Sequence, residues 1–185
     1  AYPGQAMRAG LPMRWRIALR DFRRTPVGRW AEALLTHKFL IPLLFVLMVV
    51  VWLIPSVQFY SMLDWRLYRV MNWSVVASGF LYWNLILDRR PSPPAAMSPG
   101  GRILSPVLTM APQMVVGAVI TFTSRDLYPI FELCGRAIPG IPAAMDQTIG
   151  GLTMWIPAGL IEIVGLLLAL GTLMRLSSKG RLPNK

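Results

Sequence analysis

Four long apolar stretches decide what this chain can fold into. They run over residues 39–57, 72–87, 103–123 and 150–174. A helix crossing the hydrocarbon core of a bilayer needs roughly 20 predominantly apolar residues. The first and third stretches carry no charge, and the fourth carries only Glu162. The second is shorter and more polar, and extends back to Arg69. There is no fifth. The pattern predicts an all-α, polytopic integral membrane bundle of four transmembrane helices, at about 39–57, 69–87, 103–123 and 150–174. An amphipathic basic segment (1–38) precedes the bundle and a basic tail (175–185) follows it. The hydrophobic share of 55% and the mean hydropathy of +0.51 exceed what a soluble domain of this size would need.

A net charge of +11 could suggest nucleic acid, but its placement argues for topology. Eight Lys/Arg precede Phe39, three (Arg89, Arg90, Arg102) lie between the second and third runs, and four follow Met174. The other two connections hold only Arg66 and Arg69, then Arg125 and Arg136. Fifteen basic residues against four is the positive-inside pattern for four helices with both termini in the cytoplasm. The expected setting is a bacterial inner membrane, with the basic residues explained by topology and anionic lipid.

Cys134 is the single cysteine, which excludes an internal disulfide or a multi-cysteine metal site. The single histidine, His37, sits at the inner edge of the first run, so no haem or pigment is expected on this chain alone. No signal peptide pattern opens the chain. It begins at Ala1 without an initiator Met, so the reading frame is expected to start further upstream.

Residues 13–35 interleave Trp15, Ile17, Leu19, Phe22, Trp30 and Leu34 with arginines, as an interfacial segment would, with Pro26 and Gly28 expected to break it. It reads as an anchor beside the first span, with partner binding as the alternative. In the second run Ser74 and Ser78 share a face and allow close helix approach. Residues 88–102 form a Pro/Gly-rich linker. The third run places Thr109, Gln113, Gly117 and Thr121 at intervals of four, a polar stripe, with Pro106 and Pro112 implying a kink. Met110 and Met114 share a face and read as packing or as a pair of Cu(I) thioethers. The outer loop, 124–148, carries Tyr128 and Phe131 and is expected to include a short surface helix.

The fourth run holds the feature that most needs explaining. Glu162 lies near the middle of the membrane, on a face with Gly151, Trp155, Ala158, Gly159, Gly165 and Ala169. An ionised carboxylate in hydrocarbon costs at least a few kcal/mol. The group is therefore expected to point into the bundle and to be neutral or hydrogen-bonded. By depth its best partner is Gln113. The carbonyl of Thr153, freed by Pro157, is another. An intramembrane acid is functional by default, but a Glu–Gln bond can also simply lock two helices. No further acid or histidine lies at that depth to make a proton relay.

At Asp146 the sequence reads "DQTIGGLTMWIPAG". This resembles the "DQ-x-x-GG-x-x-MW-x-P-x-G" signature of the polytopic membrane CtaG family, linked to assembly of haem-copper cytochrome oxidases and to copper handling. "VVGAVITFTSRDLYPIF" and "SGFLYWNLILDRRP" are similar to further segments of that family. "AGLPMRWRIALRDFRR" and "LLTHKFLIPLLFVLMVVVWLIP" resemble the stretch leading into its "WH-x-P". The resemblance runs from about Ala9 to Met174. It implies a membrane bundle, no catalytic residues, and an oxidase or similar respiratory complex as partner.

Departures from the family pattern fall at its histidines. Leu53 stands in "WLIP" where the family has His, and Tyr68 and Asn72 replace the two histidines of its "VH-x-x-EH". The family's additional N-terminal spans are absent here or lie upstream of Ala1, so the likeness is to a degenerate, N-terminally shortened member. Copper then has only a soft alternative in Met62, Met71 and Met145. Two readings follow. One is an assembly factor that helps mature a cytochrome oxidase or deliver its copper. The other is an accessory subunit that keeps the scaffold for packing. The second has Asp146 capping the last helix, Gln147 beside it, Gly150, Gly151 and Trp155 in a tight interface, and Glu162 latched to Gln113. A membrane enzyme is not expected, because no nucleophile–base or metal constellation is present.

Overall fold

The computed structural model describes residues 9–136, 138 and 140–180, and all regular structure among them is helical. The helices are α1 (Met13–Arg24), α2 (Pro26–Leu35), α3 (Leu40–Leu53), α4 (Pro55–Leu63), α5 (Trp65–Ile86), α6 (Pro99–Phe122), α7 (Ile130–Cys134) and α8 (Ala143–Ser178). Their starts follow the local chemistry. Pro26, Pro55 and Pro99 each take a first-turn position, where the missing N–H costs no hydrogen bond. Thr25, Asp64 and Ser98 cap α2, α5 and α6 by accepting from Gly28, Arg66 and Gly101 N–H.

The four expected runs map onto these helices with shifted bounds. The first is divided: α3 ends at Leu53, and Pro55 opens α4 instead of closing the span. The second begins four residues earlier than expected, and the third begins at Pro99. The last extends far beyond 150–174, as a 36-residue helix that takes in Asp146 and Gln147. In the basic segment the break falls at Thr25, and Gly28 lies inside α2.

Two helices, α6 and α8, are long and apolar enough to cross a membrane, and a third crossing counts only if the bent pair α2 and α3 is one span. Four clear spans do not emerge. At 14 residues α3 covers about 21 Å, short of the roughly 30 Å core. α5 is long enough but carries Arg66, Arg69, Asn72, Ser74 and Asn84.

Packing centres on α6 and α8, which run antiparallel: Thr121 meets Gly151, Gly117 meets Trp155, and Gln113 meets Glu162. α3 lies antiparallel to α5, where Trp52 Nε1 donates to Ser74 Oγ at 2.9 Å and Phe45 stacks on Tyr82 at 4.7 Å. At the basic end, Ile41, Tyr82, Leu85, Ile86 and Met97 form an apolar core. There Arg102 is only 1% exposed. It donates to the carbonyls of Met97, Asp88 and Arg90 and so holds the proline-rich linker against α6. This residue works as an internal strut, where its sequence position suggested a free topological charge.

Candidate functional site

The α6–α8 seam gathers most of the polar groups that the membrane section buries. Thr109, Gln113, Gly117 and Thr121 are all buried on α6, as their spacing of four requires once that face meets α8. The opposing stripe on α8 is Gln147, Gly151, Glu162, Gly165, Ala169 and Thr172.

At mid-seam Glu162 is 4% exposed. Its Oε1 accepts from Gln113 Nε2 at 3.0 Å and from Thr109 Oγ1 at 3.2 Å. The Gln113 amide also donates to the Thr109 carbonyl at 3.1 Å, which fixes its orientation. Tyr82 of α5, fully buried, shares a hydrogen bond of 3.0 Å with the Thr109 hydroxyl. A chain of donors from Tyr82 through Thr109 to Glu162 therefore joins three helices. Among the described residues, Glu162 Oε2 is the one buried side-chain oxygen without a hydrogen-bond partner. Thr109 takes the place proposed for the Thr153 carbonyl. The Thr153 hydroxyl donates along its own helix to Ile149.

Towards the Gln147 end of the seam the contact is close. A Cβ on Gly151 would lie 2.8 Å from the Thr121 nitrogen, and one on Gly117 would lie 2.7 Å from Trp155 Cβ. Both are shorter than any approach real Cβ atoms make, so helix approach requires glycine at these two positions. The Trp155 indole donates to Thr121 Oγ1 at 3.3 Å. Gly150 has open space around it and lines a cavity beside Gln147 instead, so it does not serve the close approach expected of it.

Gln147 closes the C-terminal end of α6. Its Nε2 lies within hydrogen-bond distance of the carbonyls of Ile120, Thr123 and Arg125, at 3.2, 3.0 and 3.2 Å. Its Oε1 accepts from Leu127 N–H at 2.7 Å. Asp146 does not cap α8. Pro142 occupies the cap position, and the carboxylate sits in the first turn, where it accepts from Arg136 Nη1 at 3.1 Å. Arg136 also donates to Asp126 at 3.1 Å and lies 3.7 Å from Glu132. Burial opposes the charge on Arg136, but the Asp146 and Asp126 bonds and charges outweigh it and hold its pKa above the ordinary value. The Tyr128 hydroxyl donates to the Leu53 carbonyl at 2.7 Å, and burial raises its pKa. These groups border an open cavity of about 270 Å³.

The sequence model of the cytochrome c oxidase caa3 assembly factors (Caa3_CtaG) matches residues 1–176. The chain belongs to this family. No curated protein and no solved structure matches it. Within this CtaG-family chain, the "DQTIGGLTMW" motif supplies one half of the seam: Gln147 for the loop, Gly151 and Trp155 for the close contact, Asp146 for the arginine.

The methionines named for a soft metal site are differently engaged. Met71 Sδ accepts from the Ser61 hydroxyl at 3.8 Å, and Met145 is exposed on the first turn of α8. Among the described residues no group of three or more His, Cys, Asp or Glu is placed to hold a metal ion. Sequence reasoning did not anticipate the Tyr82–Thr109 bond, the Arg136 network or the burial of Arg102. Only Thr109 had a signal, its place on the spacing-of-four stripe.

Proposed function

We propose that this CtaG-family chain is a non-catalytic assembly factor that holds a subunit of a haem-copper cytochrome oxidase during maturation. The observation carrying this reading is the family match over 1–176. The pinned α6–α8 seam suits such a role, because a scaffold must keep its shape while its client changes. In this reading α3 and α5 complete four spans, with both termini in the cytoplasm of a bacterial cell. The distribution of fifteen basic residues against four supports that orientation.

Copper, as cargo, is proposed to be handled by groups other than those at the family's histidine positions. Leu53 offers only its carbonyl, which Tyr128 already engages, and the Asn72 amide donates to the Tyr68 carbonyl at 2.9 Å. Neither arrangement fits a metal ligand. The same observation favours a second reading, in which the chain stays with the mature complex as an accessory subunit.

The test is deletion of the encoding gene and complementation, reading oxidase haem spectra, copper content and subunit association. An assembly factor predicts unassembled oxidase subunits without the chain, and its absence from the purified mature complex. Stoichiometric retention in that complex would select the accessory-subunit reading. Assembled oxidase lacking copper would establish copper delivery, and an unaffected oxidase would sink both readings.

A further inference from the structure

The segment ahead of α3 makes little use of the bundle interior. α1 buries no side chain. At 100° per residue, Trp15, Ala18, Leu19 and Phe22 share one face. Arg16, Arg20, Arg23 and Arg24 take the other side, with Met13 and Ile17 among them. Trp15 is 67% exposed and Phe22 49%, and α2 adds Trp30 at 67%. Across α1 and α2, six arginines (14, 16, 20, 23, 24, 29) face only two acids, Asp21 and Glu32.

This exposed face is held in a defined position. Thr25 Oγ1 donates to the Phe22 carbonyl at 2.6 Å and accepts from Gly28 N–H at 3.0 Å. Gly28 lies so close to the Phe22 carbonyl that any Cβ would overlap it. Arg23 Nε donates to Glu32 at 2.7 Å across the corner. α2 then meets α3 at a bend of 63°, so it lies closer to perpendicular than parallel to α3. The corner stands at the end of the bundle that also carries Arg89, Arg90, Arg102 and Arg175, because α3 starts there beside the end of α5.

We infer that α1 and α2 dock on an anionic phospholipid surface at the basic end of the bundle. The apolar stripe enters the acyl boundary and the arginines lie among the phosphates. Charge complementarity and the stripe together select this occupant. An acidic protein would pair the arginines but leave Trp15 and Phe22 in water. A second apolar helix would cover the aromatics but leave the arginines unmatched. This inference does not depend on the proposed function.

The chain's single cysteine, Cys134, makes the test direct. In a Cys134→Ser background, Ala18→Cys and Arg20→Cys each carry one nitroxide on the full-length protein in vesicles. The expected result in phosphatidylglycerol/phosphatidylethanolamine is that the label at 18 collides with dissolved oxygen, while the label at 20 collides with a neutral aqueous nickel chelate. In phosphatidylcholine the label at 18 becomes aqueous. Each arginine near an anionic surface contributes roughly fivefold. Replacing Arg16, Arg20 and Arg24 by Gln, with the label at 18, should therefore reduce the anionic preference by about tenfold or more. None of these three is buried, so folding is not at stake. A label at 18 that is water-exposed in anionic vesicles, or equally embedded in phosphatidylcholine at physiological salt, would overturn the inference.

Discussion

Gln147 and Glu162 lie on the same buried stripe of α8, about four turns apart, and use their polar atoms in opposite ways. The Gln147 amide is served entirely by backbone, three carbonyls and one N–H. Glu162 draws both its donors from side chains, both to Oε1, and leaves Oε2 with none. The difference follows from where each meets α6. Gln147 meets a helix end, whose last carbonyls have no intrahelical partner. Glu162 meets mid-helix, where the backbone ladder has consumed its own groups. A polar side chain there depends on other side chains, and two donors are all that α6 supplies.

The largest effect that would break this comparison comes from the contact holding both residues in place. Gly151→Leu should destabilise the protein by about 3 kcal/mol or more, because its side chain would overlap Thr121. Thermal unfolding in mild detergent reads this directly. Gly150→Leu, with open space around it, should melt within about 0.5 kcal/mol of the parent. Equal effects at both glycines would refute the seam as described.

Next comes Gln147→Leu, which strands a loop N–H and several carbonyls and should cost roughly 2–3 kcal/mol. Gln147→Glu should fare no better, since a carboxylate cannot donate to those carbonyls. Hydrogen exchange at Leu127 should rise in Gln147→Leu, which removes its acceptor, and retained protection there would show that the loop is held by something else.

Smaller effects are expected at mid-seam. Membrane-embedded side-chain hydrogen bonds average only about 0.6 kcal/mol. Glu162→Leu should thus lower detergent stability by about 1 kcal/mol, losing two such bonds. Glu162→Gln keeps the acceptor and should fall within about half of that. Unchanged melting with lost oxidase maturation would make the acid functional and not a latch. Smallest of all is Arg23→Ala. It removes a partly exposed ion pair with Glu32 and should shift bundle melting by no more than about 0.5 kcal/mol.

Much of the seam was legible in advance, and for a physical reason. Helical periodicity puts residues four apart on one face, and water-free surroundings force polar groups inward. Thr109, Gln113, Gly117 and Thr121 could therefore be read as one face, and Glu162 as pointing away from lipid. Depth alone paired Glu162 with Gln113. The end of α8 was less legible. Asp146 is a favoured residue type for a cap, yet Pro142 takes the cap position four residues earlier and leaves the carboxylate to Arg136. Capping depends on where a helix begins, and boundaries are the least local of its properties.

From its residues alone this chain could be read as helical, membrane-bound, basic at one end and CtaG-like along most of its length. Those features depend on composition, period and motif, which are local or additive. How closely the helices meet at Gly151 and where Glu162 finds its second donor depended on the antiparallel register of α6 against α8, and the burial of Arg102 on how the linker folds back over α6. Register is a property of two surfaces meeting. Helical spacing alone put Gly151, and not Gly150, on the Glu162 face, but only the position of Thr121 on the facing helix makes Gly151 a point of closest approach.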